Sequence, residues 1–96
     1  MEVEFGLFVW DADKERINIE RHGLGFAEAS RVFEDPERLI AEDLKHSREE
    51  DRFFCVGRTG DAIATVRFTR RGEFTRIIGA GYWRKGRKLY EEKARS

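Results

Sequence analysis

The sequence predicts an α+β domain in which two N-terminal helices precede an antiparallel meander of strands and a C-terminal helix. Three observations support this class. Apolar residues recur at helical spacing before residue 36, apolar and polar residues alternate between residues 52 and 80, and turn residues separate the alternating runs. The predicted order is β-α-α-β-β-β-β-α, and a length of 96 residues predicts a single domain, 1–96.

The first predicted elements are a short strand and a capped helix. Leu7–Trp10 is the longest apolar run and predicts a largely buried strand. The first helix is predicted over Ala12–His22, directly after the N-cap residue Asp11. Gly23 then supplies a residue that tolerates the positive φ common at helix ends. A second helix is predicted over Phe26–Glu34, because apolar residues recur there at helical spacing, and Asp35-Pro36 ends it.

The second half of the chain is dominated by strand patterns. Alternation and turn signals predict four strands, at Arg38–Ala41, Arg52–Arg58, Ala62–Thr69 and Phe74–Ala80. A polar loop over residues 42–51 separates the first two of them. The last element is a basic helix, Trp83–Ala94, in which Gly86 is unfavourable for helix formation.

Charge is distributed unevenly along a chain whose net charge is zero. Residues 1–51 carry 15 acidic and 7 basic side chains, a balance of −8, and residues 52–96 carry 4 and 12, a balance of +8. The basic half could face a polyanion, or the two halves could pair with each other or with a second protein. A lone cysteine, Cys55, and the lack of a long apolar run predict a cytoplasmic protein without a membrane segment.

One polar stripe on the first predicted helix could act on a phosphodiester. Lys14, Asn18 and His22 fall at positions i, i+4 and i+8, so their side chains share one side of the helix. A lysine, an amide and an imidazole could together bind a phosphate and transfer a proton. Most helix surfaces are polar, however, so the stripe is also compatible with an ordinary solvated face.

A second candidate group lies in the polar loop and at the start of the following strand. His46, Glu50 and Arg52 combine an imidazole, a carboxylate and a guanidinium. Metal-free RNA cleavage needs a base for the ribose 2′-OH, an acid for the leaving 5′-oxygen and cations around the phosphate. These residue types suit those roles, although a solvated charged loop would have the same composition.

Arginines supply the remaining candidates. The hairpin strands carry Arg67, Arg70, Arg71 and Arg76, and the terminal helix carries Arg84, Lys85, Arg87 and Lys88. The planar guanidinium of arginine binds phosphate well, so one of the strand arginines could form the floor of a groove. Two isolated histidines and one cysteine give no metal-ligand spacing, so no metal or cofactor is expected.

Short motifs follow one another along nearly the whole chain: Trp10-Asp11-x-x-Lys14-x-x-x-Asn18-x-x-x-His22-Gly23, Phe26-x-x-Ala29, Val32-Phe33-x-Asp35-Pro36, His46-Ser47-x-x-Glu50-x-Arg52-Phe53, Val56-Gly57-Arg58, Thr69-x-Arg71-Gly72, Arg76-Ile77-Ile78 and Tyr90-Glu91. In this order and spacing they resemble the BrnT family, the ribonuclease toxins of bacterial type II toxin–antitoxin systems. The resemblance implies a RelE-like fold and an endoribonuclease that inhibits translation without a metal ion or cofactor.

The resemblance also implies partners and a set of site residues. The protein partner would be an antitoxin whose ribbon-helix-helix part binds operator DNA, so that the toxin contacts DNA only through it. The expected catalytic residues are Lys14, His22, His46, Glu50, Arg52 and Arg76, and the expected RNA-binding residues are Asn18, Arg58, Arg71, Arg84 and Arg87. Glu50 or His22 would act as the base, and His46 or Lys14 as the acid.

The sequence departs from the family pattern after its last predicted strand. The family usually has a serine and an arginine where this chain has Gly79 and Gly81. Loss of that arginine could remove a cation from the transition state, unless Arg84 or Arg87 replaces it. The alternative function is therefore a catalytically impaired protein that binds an antitoxin for autoregulation. A third possibility is an RNA-binding module whose aromatic side chains stack on bases, with Phe74, Tyr82 and Trp83 as the candidates.

Overall fold

The computed structural model describes residues 1–96, which form one sheet with helices on both of its faces. Its six strands are β1 (Glu2–Phe5), β2 (Phe8–Asp11), β3 (Leu39–Glu42), β4 (Arg52–Thr59), β5 (Ala62–Arg71) and β6 (Phe74–Gly81). The helices are α1 (Ala12–His22), α2 (Phe26–Ala29) and α3 (Arg84–Ala94), with 3₁₀ turns at Ser30–Glu34 and Leu44–His46. None of the helices is long and apolar enough to cross a membrane.

The strands lie in the order β1-β2-β6-β5-β4-β3. From β3 to β6, each strand pairs antiparallel with the next one along the chain, which confirms the α+β class and the predicted meander. The strand β2 instead pairs with β6 in parallel, through Phe8 with Thr75 and Val9 with Arg76. The sheet as a whole is therefore mixed.

The predicted order of elements was wrong at its start, because it lacks β1. Residues 2–5 form an edge strand that makes a hairpin with β2 around Gly6, whose φ is 61°. Three of its four side chains are exposed, so apolar patterning gives little indication of this strand. Backbone pairing with β2 holds it in the sheet.

The predicted second helix, residues 26–34, was also wrong in part. Only one turn, α2, is α-helical, and Ser30–Glu34 forms a 3₁₀ helix. The Ser30 hydroxyl donates to the Ala27 carbonyl oxygen at 2.6 Å. In a regular α-helix that oxygen would accept the Arg31 N–H, so the hydroxyl competes with α-helical bonding at this point.

The first helix has the predicted bounds and both predicted ends. The Asp11 carboxylate accepts a hydrogen bond from the Lys14 backbone N–H at 3.0 Å. Gly23 adopts a φ of 67°, and its N–H donates to the Ile19 carbonyl. The helix therefore starts directly at the end of β2, which fixes its direction relative to the sheet.

The core lies between one face of the sheet and the segment from α1 to the first 3₁₀ helix. Its fully buried side chains are Trp10, Leu24, Phe26, Ala29, Val32, Cys55, Ala64, Val66, Phe68, Ile77 and Ala80. Aromatic rings meet within it, with Trp10 edge-on to Phe26 at a centroid distance of 5.8 Å. The burial of this apolar core favours folding, and the aromatic contacts add to it.

The opposite face of the sheet is partly covered by α3. The helix crosses the sheet at Gly86, where a Cβ atom would collide with Thr65 Oγ1 and lie 3.2 Å from Val56 Cγ2. The glycine that weakens the helix in isolation is therefore what allows the helix to approach the sheet so closely.

The C-terminal half of α3 is held by a carboxylate from the loop before β3. Tyr90 Oη donates to Asp35 Oδ2 at 2.6 Å. Burial by itself would raise the pKa of Asp35, but hydrogen bonds from Tyr90 and from the N–H groups of Glu37 and Arg58 outweigh it and lower that pKa below 3.8. Burial, followed by the bond to Asp35, raises the pKa of Tyr90.

Candidate active site

The part of the sheet face that α3 leaves uncovered brings together many of the predicted site residues. The strand register produces two rows of cross-strand neighbours there, one of Arg52, Thr69 and Arg76 and the next of Phe54, Arg67 and Gly79. Side chains of directly paired residues point to the same face of a sheet. The strands therefore bring several arginines to one surface.

A bulge in β6 contributes to this arrangement. The strands β5 and β6 shift register between Arg67 and Phe68, which leaves Ile78 as an extra residue. The extra residue reverses the alternation along β6, so Arg76 and Gly79 face the same way although they are three positions apart. Strict alternation would have placed them on opposite faces.

The first of three adjoining depressions, which we term the loop groove, has a volume of about 820 Å³ and is lined by Lys45, His46, Arg48, Glu49, Glu50, Arg52 and Arg71. Three of its charged side chains, His46, Arg52 and Arg71, lie close to a carboxylate. The Glu50 carboxylate lies 3.4 Å from Arg71 Nη2 and 3.9 Å from Arg52 Nη2. His46 Nδ1 lies 2.9 Å from Asp43 Oδ2, which orients the imidazole and leaves Nε2 without a partner.

The backbone of this loop is held against β4 by Ser47. The Ser47 hydroxyl donates to the Asp43 carbonyl at 2.7 Å and accepts the Arg52 backbone N–H at 2.9 Å. The Asp43 N–H in turn donates to the Arg52 carbonyl at 2.7 Å. One hydroxyl thus fixes the loop on both sides of His46 and Glu50, which accounts for the position of Ser47 in the motif.

The second depression, the helix groove, lies between α1 and β6 and has a volume of about 210 Å³. It is lined by Lys14, Ile17, Asn18, Arg21, His22, Arg67, Ile78, Gly79 and Trp83. The polar stripe predicted on the first helix therefore does face a groove. None of the residues lining this groove is acidic, and four of them carry basic groups.

Asn18 has a structural role in this groove. It is 8% exposed, and Nδ2 donates to the Leu24 and Ala80 carbonyls at 2.9 and 2.8 Å. Its Oδ1 accepts the Ala80 N–H at 3.1 Å. Both amide hydrogens are used by the backbone, so this side chain has no donor left for RNA. The structure gives the RNA-binding prediction for Asn18 no direct support.

The third depression, the central groove, connects the other two. It has a volume of about 350 Å³ and is lined by Asp43, Lys45, His46, Phe54, Thr65, Arg67, Trp83, Lys85, Gly86 and Leu89. It shares Lys45 and His46 with the loop groove, and Arg67 and Trp83 with the helix groove. The three grooves therefore form one continuous surface across the sheet.

Trp83 occupies the space beside Gly81, one of the two positions at which the chain departs from the family pattern. A Cβ atom on Gly81 would lie 2.6 Å from Trp83 Cε2 and 2.7 Å from Nε1, so the indole lies against the Gly81 backbone. On the other side its ring meets the His22 imidazole edge-to-face, at a centroid distance of 5.3 Å. A Cβ atom on Gly79 would be in ordinary contact, 3.7 Å from Asn18 Oδ1. Of the two glycines, only Gly81 has no room for a side chain beside its neighbours.

Four predicted arginines do not line these grooves. Arg76 forms an ion pair with Glu2 of β1. Arg58 lies over the Tyr90 ring, 5.7 Å from its centroid, near the far end of β4. Arg84 and Arg87 are exposed on α3, where Arg87 pairs with a glutamate one turn later on the helix. The structure therefore does not bring these four arginines to the groove surface.

The predicted catalytic and RNA-binding sets lacked several groove residues, among them Arg67 and Trp83. Both line the central and the helix grooves. Strand alternation could have indicated Arg67, because it places this residue on the same face as Arg71. The sequence indicated Trp83 only as an aromatic residue that could stack on bases, since its position in the grooves depends on the close approach to Gly81.

The single cysteine is not part of this surface. Cys55 is fully buried in the core, and burial raises the pKa of its thiol to about 12. A thiol in this state is protonated at neutral pH and is not a nucleophile.

Ion pairs across the fold account for part of the charge asymmetry of the sequence. Three pairs join an acidic residue of the first half to an arginine of the second: Glu50 with Arg52, Glu50 with Arg71, and Glu2 with Arg76. The two halves thus pair in part, as one of the sequence-based alternatives proposed.

A family model matches residues 10–86 of the chain, and its description is that of BrnT, the ribonuclease toxin of a type II toxin–antitoxin system. The chain belongs to the BrnT family. No curated protein matches it. The BrnT match includes every residue that lines the three grooves except Leu89. Membership in this toxin family implies a cognate antitoxin as a partner.

Proposed function

We propose that this BrnT-family protein is an endoribonuclease toxin that cleaves RNA without a metal ion. The observation that carries the proposal is the continuous groove surface, which contains five of the six predicted catalytic residues: Lys14, His22, His46, Glu50 and Arg52. These residues supply acids, bases and cations within a surface open to a polymer. The groove floor is a rigid sheet, which suits the positioning of a phosphodiester.

In the proposed reaction, the ribose 2′-OH attacks the adjacent phosphorus in line and the bond from phosphorus to the 5′-oxygen breaks. The His22 imidazole accepts the proton of the 2′-OH, and His46 Nε2 donates a proton to the departing 5′-oxygen. The products are a 2′,3′-cyclic phosphate and a 5′-hydroxyl. We favour these two histidines because they line grooves that adjoin at Arg67 and Trp83, and because Asp43 already orients the His46 ring.

Glu50 would then position cations instead of acting as the base. Its carboxylate is the common partner of Arg52 and Arg71, so it holds both guanidinium groups at the edge of the loop groove. There they would contact phosphates that flank the cleaved bond. Lys14 would bind the RNA backbone at the other end of the surface, in the helix groove.

The proposal includes a RelE-like fold and inhibition of translation through cleavage of messenger RNA. The partner would be an antitoxin with a ribbon-helix-helix part that binds operator DNA, and the toxin would reach DNA only through it. We propose that the acidic N-terminal half and the basic C-terminal half provide separate docking surfaces. A structure of the complex whose interface avoids both halves would exclude that assignment.

The test is RNA cleavage by the purified protein in excess EDTA, with analysis of the product ends. We expect cyclic-phosphate ends, and no cleavage at a site where a single 2′-deoxy nucleotide removes the nucleophile. His22→Ala should lower the single-turnover rate by ~10²–10⁴, the usual contribution of a general base. Arg70→Ala is a matched control, because Arg70 is exposed on β5 and lines none of the three grooves.

The alternative function makes the opposite prediction in the same experiment. A folded sample that cleaves neither free RNA nor RNA on translating ribosomes would contradict the nuclease proposal. Tight binding of the cognate antitoxin by that sample would then support an autoregulatory interaction protein. Cleavage that EDTA abolishes would contradict the metal-free mechanism while retaining the nuclease.

A further inference from the structure

Arg67 lies at the centre of the groove surface. It is in β5, directly paired with Phe54 of β4 and Gly79 of β6. It lines both the central groove, which contains His46, and the helix groove, which contains His22. No other basic side chain lines both of these grooves. Its side chain thus borders the groove of each imidazole.

Arg67 also differs in charge environment from the other arginines on the same face of the sheet. Arg52 and Arg71 pair with Glu50, and Arg76 pairs with Glu2. No carboxylate lies within 4.0 Å of the Arg67 guanidinium, and the residue is half-buried. A partly desolvated guanidinium without a counter-ion favours the binding of an anion, because binding restores the charge balance and satisfies its donors.

The residue at position 81 explains why the proposed site needs a cation from elsewhere in the chain. The resemblance to the family places an arginine at position 81, but the Trp83 indole occupies the space beside Gly81. The cross-strand neighbour of Gly81 is Thr65, and the next residue on the same face of β5 is Arg67. Arg67 therefore projects from the neighbouring row of the same sheet face as position 81.

We infer that Arg67 binds the non-bridging oxygens of the cleaved phosphate and supplies the cation that is missing at position 81. The inference rests on the proposed nuclease function and identifies the phosphate-binding residue of that site. The planar guanidinium donates two parallel hydrogen bonds to the phosphate while negative charge develops on its oxygens. His22 and His46 then act on either side of the same phosphorus, and Trp83 forms the wall of the groove.

The first experiment measures single-turnover cleavage by the wild type, Arg67→Ala, Arg67→Lys and the control Arg70→Ala. Arg67→Ala should reduce the rate by ~10²–10³, which is typical of one lost transition-state donor, and Arg67→Lys should retain part of it. Arg70→Ala removes the same charge from the opposite face of the same strand and should cleave at the wild-type rate. Added guanidinium ion should restore part of the activity of Arg67→Ala and should have no such effect on Arg70→Ala.

A second measurement separates this inference from the nuclease proposal. The probe is a short single-stranded oligodeoxynucleotide, which presents phosphates but cannot be cleaved by 2′-OH attack. Arg67→Ala should weaken its binding by about 10–100-fold, the equivalent of one charge-assisted contact, whereas Arg70→Ala should change it little. Circular dichroism confirms that each variant is folded, and Arg67→Gln replaces Arg67→Ala if the latter does not fold.

Together, the cleavage and binding results decide between the nuclease proposal and the role of Arg67. Weakened binding together with lost cleavage supports both proposals. Normal cleavage by Arg67→Ala overturns the role of Arg67 and leaves the nuclease proposal intact. A wild type that does not cleave overturns the nuclease proposal, and the binding experiment then decides whether Arg67 binds phosphate. Equal binding by Arg67→Ala and Arg70→Ala overturns the inference regardless of cleavage.

Discussion

The helix groove and the loop groove lie at opposite ends of the same surface and hold their charges in different ways. In the loop groove the carboxylate of Glu50 lies close to two arginines, and Asp43 engages His46. In the helix groove no lining residue is acidic, although four are basic. An incoming phosphate can therefore bind in the helix groove directly, whereas at Arg52 and Arg71 of the loop groove it must compete with the carboxylate of Glu50.

The two grooves also differ in how they are built. The helix groove is fixed by buried backbone contacts, above all those of Asn18, while the loop groove depends on one serine hydroxyl and on exposed ion pairs. Buried hydrogen bonds contribute more to stability than exposed ion pairs do. Substitution of Asn18 should therefore affect folding, whereas substitutions in the loop groove should affect mainly the chemistry.

The largest effect is expected from Asn18→Ala. This change leaves the Leu24 carbonyl and the backbone groups of Ala80 without their buried partner. The free energy of unfolding should fall by about 3 kcal/mol, the sum expected from a few unpaired buried groups. Urea denaturation followed by fluorescence measures this loss. The matched control is Ile17→Ala, the exposed neighbour on α1, and equal losses for the two variants would contradict the structural role of the Asn18 hydrogen bonds.

An intermediate effect is expected from Asp35→Asn, which loosens the attachment of α3 beside the central groove. The pKa of Asp35 is lowered in the folded protein, so its carboxylate stabilises the fold above about pH 4 and loses this contribution as the pH falls through the folded pKa. At pH 7 we expect a loss of about 1–2 kcal/mol, because the Tyr90 hydroxyl loses a charged acceptor.

The pH dependence of unfolding tests whether the stabilisation comes from the ionised carboxylate of Asp35. The unfolding curves of Asp35→Asn and the wild type, measured from pH 7 down to pH 2.5, should converge at the acid end. A constant difference over that range would show that the loss does not depend on ionisation. Glu34→Gln, at the exposed preceding position, should follow the wild type at every pH.

The smallest effect on stability is expected from Glu50→Gln in the loop groove. Its ion pairs with Arg52 and Arg71 involve side chains that are 35% and 57% exposed, so their loss should cost less than about 1 kcal/mol. Cleavage should still slow, because the two guanidinium groups lose their common anchor. If Glu50 is instead the general base, the acid limb of the pH–rate profile should disappear, which distinguishes the two roles.

Local patterns predicted those parts of the fold that local interactions determine. The bounds of α1 follow from Asp11 and Gly23, and the meander follows from alternation and turn residues. The parallel pairing of β2 with β6 could not be predicted in this way, because the partners are far apart in the sequence. The strand β1 was missed for the related reason that pairing, and not burial, holds it in place.

The candidate site shows the same division between local and long-range information. Residue types and helical spacing indicated Lys14 and His22, and both line the helix groove. The pattern could not separate them from Asn18, whose hydrogen-bond partner Ala80 lies on the distant strand β6. Arg67 was not selected because its proposed role depends on two absences in the folded chain. No carboxylate lies near its guanidinium, and position 81 has no side chain.

The hydrogen bonds of Asn18 have a consequence for how the sheet ends. The strand β2 pairs with β6 only at Thr75 and Arg76, so the later part of β6 would present bare backbone groups at the side of the sheet. The Asn18 side chain meets Ala80 with one donor and one acceptor, as a peptide group of a neighbouring strand would. The Asn18 amide thus takes the place of a neighbouring strand at Ala80 and satisfies backbone groups of β6 that β2 does not reach.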